Sequence, residues 1–191
     1  MKSMTPKGFT IVETLVAITI LLIALIAPFR AAETSLTSSY TARDELIANS
    51  LAQEGLEYVH QIRGSNYLLT RSGTLTPWLS GLTGGAFPDC QSPKLCTVDM
   101  SPTAVTKIAQ CYDGVTNTCG SKPLYVNGIQ IYSQAVSGTA SKFYRTLTVC
   151  YIGGGSCTTT TNEAKVTVTV TWSTNKVSHT TSVNDYVTNW L

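Results

Sequence analysis

From Phe9 to Phe29 the chain reads FTIVETLVAITILLIALIAPF, apolar at almost every position, with Glu13 as its one charged residue. The run is about 20 residues long, which matches a helix crossing a hydrocarbon core roughly 30 Å thick. A secretory signal would carry a shorter apolar stretch of about 7–15 residues ending in a small-x-small site. Here Leu25-Ile26-Ala27 has a bulky residue, Leu25, where a small one is wanted, and Pro28 follows at once. No cysteine lies near the end of the run, so a lipoprotein signal is also missing. The pattern predicts a membrane-spanning helix. Lys2 and Lys7 precede it with no acid between them, so the positive-inside rule puts the N-terminus in the cytoplasm and the chain after Arg30 outside.

Past Arg30 polarity rises while helical spacing persists. Tyr40, Ile47, Leu51, Tyr58 and Ile62 fall on one helical stripe, and Arg43, Asp44, Glu45, Glu54 and Glu57 lie largely off it. One helix from about residue 9 to about residue 62 is expected, ending at Gly64-Ser65-Asn66. Pro28 should kink or locally unwind it, and Gly55 should be tolerated at about 1 kcal/mol against Ala. Residues 65–122, rich in Gly, Ser, Thr and Pro, predict an irregular excursion with a few short strands. Alternation then takes over at Ile129–Tyr132, at Phe143–Val149 and most clearly at Val166, Val168, Val170 and Trp172. Ser173–Lys176 reads as a turn and Val177–Trp190 as a return strand. The expected class is α+β: a long N-terminal helix packed on a C-terminal antiparallel meander of about four strands. The chain then divides into a leader (1–8), an apolar helix half (9–29), an amphipathic half (30–63) and a head (64–191).

Composition narrows the picture. Forty-three per cent of the 191 residues are hydrophobic and 13% charged, which excludes a disordered polyelectrolyte. A formal charge of +2 gives no reason to expect nucleic acid as a partner, and Lys94, Lys107, Lys122, Lys142 and Lys165 read as a solvated face. Six cysteines form three close pairs in sequence, Cys90 with Cys96, Cys111 with Cys119 and Cys150 with Cys157. An even count outside the membrane favours disulfides over zinc, whose knuckles are usually tighter; 15 connectivities remain open, with local pairing favoured because each pair brackets a turn-rich segment. No catalytic, metal or cofactor site is expected. Gly153-Gly154-Gly155 lacks a following helix and a Lys-Ser/Thr pair, His60 and His179 have no nucleophile setting, and Asp89, Asp99 and Asp113 lack calcium-loop spacing.

Glu13 remains unexplained by any of this. A carboxylate within an apolar span costs several kcal/mol unless it has a partner, so its presence points to function. Lys7-Gly8-Phe9-Thr10-Ile11-Val12-Glu13 resembles the processing site of the type IV pilin superfamily: a short basic leader ending in Gly, then Phe, with Glu at the fifth mature position. The resemblance implies cleavage between Gly8 and Phe9 by a prepilin peptidase, N-methylation of Phe9, and pairing of Glu13 with the amine of a neighbouring subunit. It implies a structural subunit rather than an enzyme, most like a minor pilin, with a type II secretion pseudopilin or a membrane-anchored adhesin as alternatives. Its partners would be other pilin subunits, the peptidase and an assembly platform. Its place would be the cytoplasmic membrane and then an extracellular filament. Removing the leader takes away Lys2 and Lys7, leaving 11 bases against 11 acids.

Overall fold

The computed structural model describes residues 8, 10–83, 89–101, 107–128, 131–134, 136, 138–153, 156–158, 161–174 and 176–189. The chain divides into two compact units, Met1–Asp44 and Glu45–Leu191. Helix α1 (Ile11–Arg71) supplies all of the described part of the first unit except Gly8 and Thr10, and the opening of the second.

In the first unit the described apolar residues of the helix are exposed. Ile11 is 82% exposed, and Leu15, Ile18, Leu22, Ile23, Ile26 and Phe29 are likewise exposed. The helix is long and apolar enough to cross a membrane. The helical state continues through Pro28, so the local unwinding expected there does not occur. Proline has no N–H, which leaves the Ala24 carbonyl without its usual donor.

In the second unit α1 packs against an antiparallel sheet. The strands, in chain order, are β1 (Leu95–Val98), β2 (Ile108–Tyr112), β3 (Tyr125–Val126), β4 (Tyr132–Ser133), β5 (Thr139–Ala140), β6 (Phe143–Gly153), β7 (Ser156–Thr158), β8 (Glu163–Thr174) and β9 (Val177–Thr188). The main sheet runs β2-β1-β6-β8-β9 with β7 beside β6, and a small sheet runs β4-β3-β5. Each long strand alternates as its side-chain period demands: Phe143, Arg145, Leu147, Val149 and Tyr151 of β6, and Ala164, Val166, Val168, Val170 and Trp172 of β8, all point inward and are buried. The expected strand at Ile129–Tyr132 overlaps β4, although Ile129 and Gln130 lie outside the described residues, as does Asn175 of the expected turn.

Two details of the helix differ from the sequence expectation. The buried face is Ala48, Leu51, Ala52, Gly55 and Val59, while Tyr40 is 61% exposed and Ile47, Tyr58 and Ile62 are half-buried at the margin. Small residues occupy the line of closest approach: an ideal Cβ on Gly55 would stand 2.9 Å from Val168 Cγ1. The helix also does not stop near residue 62. It passes Gly64 and ends at Arg71, so the boundary drawn at 63 lies within it. The stop is made by Gly73, at φ +99°, where Gly73 N–H donates to Thr70 O (3.1 Å) and Thr74 N–H to Leu69 O (3.1 Å). That pair of bonds is a Schellman cap. Asn66, read from sequence as part of a terminator, is instead a buried residue whose Nδ2 donates to the carbonyls of Trp78 (3.2 Å) and Ser80 (3.0 Å), tying the returning loop to the helix.

Three disulfides clamp the head, Cys90–Cys96, Cys111–Cys119 and Cys150–Cys157, with Cα separations of 5.4, 4.9 and 5.0 Å. The first ties the segment before β1 to that strand, the second closes the loop after β2, and the third joins β6 to β7.

Candidate functional site

The N-terminal end of α1 is built from Thr10 and Glu13. Thr10 Oγ1 accepts a hydrogen bond from the Glu13 N–H at 3.3 Å, making Thr10 the N-cap and Glu13 the third helical residue. Thr-x-x-Glu is the capping-box pattern, and a carboxylate in the first turn is favoured by the positive end of the helix dipole. This local role for Glu13 was missed from sequence, although the Thr10 to Glu13 spacing announces it. The other polar groups nearby satisfy themselves. Thr14 Oγ1 donates to Ile11 O and Thr19 Oγ1 to Val16 O, each at 2.8 Å, so neither hydroxyl needs a partner beyond the helix. Among the described residues no cation lies within ion-pair distance of the Glu13 carboxylate, which is exposed beside Ile11, Val12 and Val16. Gly8 is exposed; Phe9 and the leader 1–7, on which cleavage and methylation are expected, lie outside the described residues.

The remaining candidates in the head have local structural roles. His60 Nε2 meets Asp185 Oδ2 at 2.7 Å across the helix–sheet seam, and His179 stacks on Trp172 with ring centroids 5.4 Å apart. Asp89 accepts from Lys94 Nζ (2.7 Å) and from the Gln91 N–H. Asp99 is buried, accepting from the Ser101 N–H (2.9 Å) and Ser133 Oγ (3.2 Å). Asp113 accepts from the N–H groups of Thr116 (2.7 Å) and Val115 (2.8 Å), and these bonds hold its carboxyl below the usual carboxylate range. Burial pushes the Tyr58 phenol up. Of the glycine run, Gly153 ends β6, while Gly154 and Gly155 lie outside the described residues. Among the described residues no three His, Cys, Asp or Glu side chains converge on a point where a metal could be held.

Sequence reasoning also missed Arg145, an inward-facing cation on β6, and Arg63, Tyr67, Arg71 and Trp78, which meet beside the end of α1. Arg63, Tyr67 and Arg71 are spaced by four and share a helix face, a signal that a helix ending near residue 62 hides.

Residues 4–27 match the family model described as the prokaryotic N-terminal methylation motif. The match covers Gly8, Phe9, Thr10 and Glu13 and most of the apolar run. Comparisons with curated proteins and with solved structures each returned no match.

Proposed function

We propose that this chain, which carries the prepilin-type methylation motif, is a structural subunit of a type IV pilus-like filament, most like a minor pilin. The observation that carries the reading is the coincidence of that motif with an apolar helix whose residues 11–29 are exposed among the described residues and contain the single carboxylate Glu13. The motif supports a type IV pilin-like protein processed by a prepilin peptidase, and the apolar helix supports anchoring in a membrane before assembly.

The mechanism is an exchange of surroundings. Before assembly the apolar surface of α1 is covered by lipid, and in the filament by the equivalent helices of other subunits, so little apolar area is exposed to water at either stage. Cutting after Gly8 creates an amine on Phe9. An ammonium and a carboxylate are each costly in an apolar bundle and are tolerated together, and such a pair is suited to fixing register between helices. Thr10 contributes by holding the first turn in place, so the Glu13 side chain leaves the helix in a defined direction.

Intact-mass and N-terminal analysis of protein from cells with a prepilin peptidase is expected to show loss of residues 1–8 and a methyl-Phe9 terminus; an intact Met1 on surface-located protein overturns the reading. Glu13→Gln keeps a side chain able to complete a capping box but removes the charge. It is expected to leave membrane insertion unchanged while depleting the protein from sheared filaments. Equal recovery of mutant and wild type would show that the charge does not set register.

A further inference from the structure

In the second unit a cleft of about 470 Å³ lies between the last two turns of α1, the loop after it and the end of β9. Its size suits one or two sugar rings. Arg63, Tyr67 and Arg71 line one wall from the helix, Trp78 faces them from the loop, and Thr188 and Asn189 close the end.

The walls are fixed before any ligand arrives. The Schellman cap at Gly73 turns the chain back, and Thr70 Oγ1 donates to Thr76 O at 2.9 Å. Buried Asn66 holds the carbonyl of Trp78, and the Trp78 and Tyr151 rings make a T-shaped contact with centroids 6.0 Å apart. Arg63 is oriented by donating Nε–H to Thr188 O at 2.8 Å, and Arg71 Nη1 reaches Tyr67 Oη at 3.5 Å. Each of those contacts uses one of the five N–H donors of a guanidinium. Among the described residues no carboxylate lies within ion-pair distance of either arginine. Two oriented, uncompensated guanidiniums beside an indole and a phenol call for an anion attached to something flat or hydroxylated.

We propose that this cleft binds a pyranose bearing a carboxylate, a uronic-acid type of sugar, with the carboxylate on the Arg71 guanidinium, Arg63 adding positive charge to the same wall, and the ring against Trp78. Guanidinium forks match a carboxylate in two-bond geometry, an indole offers a face for the apolar side of a sugar ring, and Thr188 and Asn189 supply hydroxyl and amide partners for ring hydroxyls. The site lies within the second unit and goes beyond the filament reading. Its binding is read on the unassembled protein, so it stands or falls separately from assembly.

The test is calorimetric titration of the full chain in detergent micelles with digalacturonate, with the neutral disaccharide digalactose and inorganic phosphate in parallel. Digalacturonate is expected to bind and digalactose to bind roughly tenfold or more weakly, the effect of losing one charge-assisted contact. Arg71 is exposed and makes no core contact, so Arg71→Gln is expected to fold normally, which circular dichroism checks, and to weaken digalacturonate by a similar factor. Three results overturn the proposal: no heat with digalacturonate, an unchanged affinity in folded Arg71→Gln, or phosphate binding as tightly as the sugar acid.

Discussion

Arg145 stands at an inward position of β6 between Phe143 and Leu147, fully buried, where alternation alone would place an aliphatic side chain. It is accommodated because its Nη1 donates to Leu51 O (3.0 Å) and to Glu54 Oε2 (2.5 Å), and its Nη2 to Val98 O (2.7 Å). One cation thereby joins helix, β6 and β1. Glu54 is about 39% exposed and could be hydrated alone, but the arginine could not. Glu54→Ala is therefore expected to cost about 2–3 kcal/mol, below the usual range for a wholly buried pair. Adding Arg145→Met should recover part of that loss, so a urea-denaturation double-mutant cycle should show a coupling of about 1 kcal/mol or more. Strict additivity would mean that the two side chains act independently. Two glycines of the same helix make a matched pair. Gly64→Ala, with open space around its Cβ, should stabilise by about 0.5–1 kcal/mol. At Gly55 the same propensity gain is opposed by the clash with Val168, and a net loss of about 1 kcal/mol is expected in the same assay.

At the scale of elements, the sequence is most informative where one face is wet and one dry. Val166, Val168, Val170 and Trp172 alternate with polar residues, and β8 buries those four as the pattern demands. The helix face was less legible. Large apolar residues such as Ile47 and Tyr58 dominate the pattern, whereas close packing on a sheet also selects small ones, so Ala48, Ala52 and Gly55 join Leu51 and Val59 on the buried face. The helix end differs from the sequence expectation for a related reason: a glycine is a stop only where the chain turns left-handed, which Gly73 does and Gly64 does not. The site divides similarly. Glu13 stood out as a charge in an apolar run, while Arg63, Arg71 and Trp78 come together only because Gly73 folds the loop back. In the loop after β2, Asp113 is held by the N–H groups of Thr116 and Val115. Its folded pKa lies below the unfolded value of about 3.9, so its contribution is complete above that pH and fades as pH falls through the lower folded value. The thermal midpoint of wild type should exceed that of Asp113→Asn at pH 7, and the gap should close in strong acid. A gap independent of pH would assign the effect to geometry rather than charge.

At the scale of the whole molecule, the division near residue 44 separates an apolar helix that needs covering from a head with its own core. A chain starting just before Asp44 would present that residue as an N-cap to the remaining helix. It is expected to be soluble without detergent and to melt within a few degrees of the full chain; a molten, dye-binding product would show that the head depends on the removed segment. The disulfides bear on how such a head matures. Each joins cysteines only six to eight positions apart, and none links two distant strands. Each thiol can therefore reach its correct partner by closing a short loop, on a timescale of about 10–100 ns and at high effective concentration, with no need of the finished sheet to bring the two together. The three bonds can close in any order, each as soon as its own short segment meets an oxidant. Maturation on this plan calls for an oxidant but little reshuffling.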